Sequence, residues 1–166
     1  MITGMESLGD RIVAAWRRHN EINLLLISSI PNDGFQAVPL NSRGRHVAAQ
    51  LDHMNSVRLG WLHYHATGKR PKRPKRPRKD HVLSRSVVSR AFKASGESVA
   101  QFLSAALVGA SKVRLFGGDP VRWFSYLVSH ESHHRGQIAL ALKQAGMRLP
   151  EKIAIQGLWG KWFFGK

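Results

Sequence analysis

The chain has no cysteine. That excludes disulfides, thiolate metal ligands and a cysteine nucleophile, so any thiol chemistry must arrive with a substrate. A reducing cytoplasm fits this composition. Acidic residues are also scarce: ten Asp and Glu face 26 Lys and Arg, leaving a formal charge of +16. Such an excess favours anionic partners. No apolar run reaches the roughly 18 residues a membrane span requires, and "LLLISSI" at 24–30 is far too short. The N-terminus lacks a secretory signal. It is amphipathic and Arg-bearing like a transit peptide, but Glu6, Asp10 and Glu21 argue against that reading.

What is present reads as helix. The length, 166 residues, suits one domain (1–166) with one useful core. Leu8, Ile12, Ala15, Trp16, Ile22, Leu25 and Leu26 recur at helical spacing and predict a helix over about 6–28, stopped by "PNDG" at 31–34. A second helix is expected over about 43–65, capped by Asn41 or Ser42, with Val47, Leu51, Met54, Arg58 and Trp61 or Leu62 on its stripe. A third covers about 81–107 through Val87, Ala91, Ala94, Val99, Phe102, Leu103 and Ala106. Asp119 as N-cap and Pro120 at the first helical position open a fourth, which Gly146 closes. A short strand near 151–156 is the one exception. The expected fold is therefore all-α, a four-helix bundle.

Two segments stand apart. "KRPKRPKRPRK" at 69–79 carries eight of the 26 basic side chains, and its prolines at 71, 74 and 77 prevent a helix. Such density binds phosphates through counterion release, so nucleic-acid or anion binding is an alternative function. The segment holds no aromatic residue to stack on bases, which favours a solvated loop. The tail 147–166 ends in "GLWGKWFFGK", with two of the five Trp. It is too short and Gly-rich for a membrane-surface helix; it is expected to pack over the bundle end or into a dimer interface.

Three of the nine histidines fall in "HESHH" at 130–134. His130 and His134 lie one turn apart on one helical face, near the line of Leu127, Ile138 and Ala141. Two imidazoles so placed can reach one metal ion. His133 also falls near that face, and periodicity does not choose between it and His134. The second helix offers His46, His53, His63 and His65 as a third ligand. His53, among Ala49, Val57 and Gly60, is the best placed. A hydrogen-bonded surface cluster remains the competing reading. Among the acids, Asp52 and Glu131 are adjacent to histidines and point away from them, whereas Glu97 on the third helix is expected to face inward.

"HESHHRGQI" followed by "ALALKQAG" resembles the last helix of the DinB/YfiT-like family, and "GRHVAAQLDHMNSVRLGWL" at 44–62 resembles its second. The resemblance implies an up-down-down-up bundle with a long crossover between helices 2 and 3, here the basic segment 66–80. It implies a divalent metal ion, zinc or nickel first, held by His53, His130 and His134, and so favours His134 over His133. It further implies a homodimer and a thiol-dependent transferase or isomerase taking a small thiol co-substrate. His133 and Tyr126 flank the pair as candidate acid or base, though packing suits Tyr126 and an outward position suits His133. Arg135 and Gln137 read as packing or interface residues. A metal-binding bundle without turnover is the alternative.

Overall fold

The computed structural model describes residues 6–41, 44–71 and 84–164, so the basic run 72–79 lies outside the described residues. The chain is all-α, and no strand occurs among the described residues. Four long helices dominate: α1 (Leu8–Ser29), α2 (Val47–Thr67), α3 (Arg85–Leu107) and α4 (Pro120–Gln144). Among the described residues, no helix is long and apolar enough to cross a membrane.

Capping sets the helix ends. Ser7 and Asp10 form a reciprocal capping box before α1. α2 starts later than expected, and its cap is neither Asn41 nor Ser42. His46 takes that role, its Nδ1 accepting from the Ala49 amide at 3.2 Å. Asn41 instead turns the chain at φ 56°, and Ser42 lies outside the described residues. Ser84 caps α3; residues 81–83 of the expected helix are also outside. Asp119 Oδ1 accepts from the Val121 and Arg122 amides, with Pro120 in the first turn as anticipated. Gly146, at φ 74°, ends α4 with the Met147 amide on Leu142 O at 2.8 Å.

The strand expected at 151–156 does not form. Lys152–Gly157 is a π-helical turn, closed by the Leu158 amide on Ile153 O at 2.8 Å, so its backbone is satisfied locally. A short α5 (Gly160–Phe164) follows. The tail packs partly as expected: Leu158 rests against the core, and Lys161 approaches Glu21 at 3.7 Å. Trp159, Phe163 and Phe164 nevertheless stay exposed.

The buried faces are rotated from the expected stripes. On α1 the core face is Val13, Trp16, His19, Ile22, Asn23 and Leu26, while Leu8 is 71% exposed. On α3 it is Val88, Phe92, Ser95, Gly96, Val99 and Leu103, while Val87 and Ala94 are exposed. Both shifts have one cause. The true faces carry small or polar residues that a hydrophobic count passes over. Gly96 is one: a Cβ there would collide with the Asn20 amide, and its carbonyl accepts from Trp16 Nε1 at 2.8 Å. A side chain at 96 would displace the Asn20 amide, which accepts from Arg58.

Two apolar clusters fill the interior. A polar layer separates them along every long helix. Its centre is the Arg58–Glu131 ion pair, both side chains 0% exposed. Arg58 Nε and Nη2 donate to the two carboxylate oxygens at 2.6 and 2.8 Å. Arg58 Nη1 also donates to Asn20 Oδ1, Phe92 O and Ser95 Oγ. Its guanidinium stacks over Trp16 and Phe92. Glu131 further accepts from Asn23 Nδ2 at 2.6 Å and His19 Nε2 at 2.9 Å.

Burial alone would raise the Glu131 pKa. Arg58 and the hydrogen bonds override this and hold it well below the usual carboxylate range. Burial keeps His19 neutral, so its Nε2–H is a donor to an anion rather than half of an ion pair. Glu131→Gln leaves Arg58 buried against a neutral amide. It should cost about 3–5 kcal/mol, read as a lower urea midpoint with an unchanged slope. The double variant Arg58→Met/Glu131→Leu should cost less than the two single changes summed.

Candidate metal centre

His53 sits mid-α2, while His130 and His134 are one turn apart on α4. The structure brings these three together. One ring nitrogen from each lies within 4.8 Å of the others. His130 Nε2 and His53 Nε2 are 3.4 Å apart. The ring planes stand at 65–78° to one another, so nitrogens converge rather than faces stacking. Two imidazoles bound at about 2.0–2.1 Å to one tetrahedral ion place their nitrogens roughly 3.3 Å apart. The His53–His130 pair already has that spacing.

The donor set suits a cation. Burial is the main force lowering the His53, His130 and His134 pKa values, and the neighbouring cationic groups add to it. His134 is lowered to about 4. All three rings are therefore neutral at pH 7, with lone pairs available. His134 Nδ1 faces Gln50 Oε1 at 3.4 Å, which leaves its Nε2 for a ligand. Gln50 is itself anchored, its Nε2 donating to Arg45 O at 3.2 Å. His130 Nδ1 is buried without a hydrogen-bond partner.

The family model of the DinB family matches residues 5–158. The chain belongs to the DinB family. No curated protein matches it. The geometry brings His134, not His133, to His53 and His130. His133 is exposed and points out of the cluster, hydrogen-bonded to Gln137 at 2.9 Å, although its ring lies 5.4 Å from that of His134.

The remaining candidates fall elsewhere. His46 caps α2, and His63 is exposed. His65 is buried among Trp61, Phe102 and Trp123, with Nδ1 accepting from the Arg114 amide. Tyr126 stacks on His130 with centroids 5.8 Å apart and packs against Phe116, as a packing residue should. Arg135 ties α4 to α1 through Asn23 Oδ1 at 2.9 Å.

Glu97 does not face inward. It is exposed and pairs with Arg17 at 3.2 Å, because position 97 falls on the solvent side of α3, opposite the face of Ser95 and Val99. Among the described residues no carboxylate hydrogen-bonds a triad ring; the supporting group is the Gln50 amide. Nothing in its local sequence marked it beyond lying one turn before His53.

Lowered ligand pKa values have a direct consequence for metal retention. An unfolded imidazole is largely protonated below pH 6.5, whereas these rings stay neutral further down. Metal bound at pH 7 should remain at pH 6 and be released as pH falls toward 4, with equilibrium dialysis reading the loss. Folding weakens over the same range. His rings kept neutral in the fold contribute stability that is complete above pH 6.5 and is lost as pH falls toward their lowered values. Circular dichroism on the same samples separates release from unfolding.

Proposed function

We propose that His53, His130 and His134 hold one divalent metal ion, zinc or nickel, and that the chain is a metal-dependent enzyme of the thiol-transferase or isomerase type. The observation that carries this is the convergence of three neutral ring nitrogens from α2 and α4 within 4.8 Å. With three protein ligands, a metal ion keeps an open position and acts there as a Lewis acid toward a coordinating thiol or water.

The chain's own groups support the reading. A proton on His134 Nδ1 would face Gln50 Oε1 and leave Nε2 as the lone-pair nitrogen. Arg45 lies close enough to lower the pKa of His53 and His130, and its charge favours an anionic co-substrate. The absence of cysteine leaves no protein thiol to compete with a small thiol co-substrate. On the same reading the chain is a cytoplasmic, homodimeric single domain. Its long helices form an up-down-down-up bundle, with the crossover starting after α2 ends at Thr67 rather than at 66.

Elemental analysis of untagged protein should find about one divalent ion per chain, lost in each of His53→Ala, His130→Ala and His134→Ala. His133→Ala should keep the metal. A wild-type chain that takes up neither zinc nor nickel after reloading would remove this reading. Metal-loaded protein with no small-thiol conjugation across varied electrophiles would leave a metal-binding protein without turnover.

A further inference from the structure

The outer face of α4 turns away from the histidines and is not closed. A groove of about 540 Å³ runs between this face and the C-terminal segment. Val128, Ser132, Gly136, Ala139 and Lys143 line it at helical spacing, so it extends roughly 22 Å along the helix at 1.5 Å per residue. Gly136 and Ala139 leave its floor shallow; a Cβ added at Gly136 would meet nothing within 4 Å. The opposite wall is Ala154, Ile155, Leu158, Trp159 and Trp162. Leu140, Ile155 and Trp159 along it are 49%, 55% and 59% exposed.

The charges indicate its chemistry. Arg135, Lys143 and Arg148 line the groove, and among the described residues no carboxylate does. Arg135 is engaged by Asn23 and Ser132. Lys143 and Arg148 are exposed at the C-terminal end of α4 and have no ion-pair partner among the described residues. Lys143, in the last turn, also complements the helix dipole; Arg148, beyond the helix, has no such role. We infer that this groove binds a single long-chain anionic amphipath. The alkyl chain lies along Gly136, Ala139 and Leu140 under Trp159, and a carboxylate or phosphate head meets Lys143 and Arg148.

Two other occupants fit less well. A second copy seated face to face on this groove would set cations against cations, since no acid among the described residues lines it. An anionic bilayer would need a convex apolar ridge, whereas this surface is concave and within the 300–1,000 Å³ typical of small-ligand sites. The inference is independent of the metal centre.

Laurate below its micelle concentration is the probe, followed by tryptophan emission and by stoichiometry from calorimetry. Trp159 and Trp162 line the groove; Trp16 and Trp123 are fully buried elsewhere. One laurate per chain should bind saturably. Lys143→Glu/Arg148→Glu should weaken it about tenfold or more. Gly136→Leu, which fills the floor with a better helix former, should abolish binding while preserving the melting temperature, so loss of binding is not loss of fold. Equal binding of dodecyltrimethylammonium would overturn the charge assignment. Co-sedimentation with anionic vesicles without saturable laurate binding would make the face a bilayer surface. Dimerisation abolished by Gly136→Leu, without laurate binding, would make it a self-interface. Either result overturns the proposal.

Discussion

The bidentate pair between Arg58 and Glu131 is the constraint on which the rest depends. It is fully buried, and its hydrogen bonds reach all four long helices: His19, Asn20 and Asn23 on α1, Phe92 and Ser95 on α3. A buried ion pair is a costly way to gain stability, because desolvation offsets the attraction. Its contribution here is geometric. A guanidinium that must meet a carboxylate, a carbonyl and two side-chain oxygens together admits one register of the helices around it. Apolar contacts alone would tolerate a slip.

That register bears directly on the histidines. Arg58 lies five residues after His53 on α2, and Glu131 immediately follows His130 on α4. The ion pair therefore joins the same two helices that carry the triad, within about a turn and a half of it. Glu131 points into the polar layer and His130 out of it, so one stretch of α4 serves both the fold and the site. Gln50 completes the arrangement from α2, one turn before His53, by holding His134. The site is built on rigid helices rather than loops, which suits ligands whose nitrogens must hold positions to within a fraction of an ångström.

Much of this was legible in the chain. Helical spacing located the four long helices, and Asp119-Pro120 and Gly146 marked the ends of α4. The same spacing put Arg58 on the inner stripe of α2. It also put His130 and His134 on one face, with His53 as the best third ligand. Less legible were the buried faces of α1 and α3. Hydrophobic counts favoured Leu8 and Val87, which are exposed, over His19, Asn23, Ser95 and Gly96, which are buried. Periodicity scores burial by apolarity, and these faces are buried through polar satisfaction and close backbone approach. The expected strand at 151–156 failed for a related reason: apolar residues in a short run do not distinguish a strand from a turn with its own hydrogen bonds.

By itself the sequence determined the helical class, the helix caps at Asp119 and Gly146, the exclusion of protein thiol chemistry and the set of histidines able to meet. These follow from local propensity and composition, which need no partner. Only the tertiary structure decided that His134 faces the cluster and His133 faces water, since the two differ by one residue and about 100° of rotation. It also decided that Glu131 belongs to Arg58, that Gln50 supports His134, and that α4 leaves an apolar groove on its outer face. Each of those depends on which helix lies opposite, and contacts between residues 73 or more positions apart leave no mark in the local pattern of either segment.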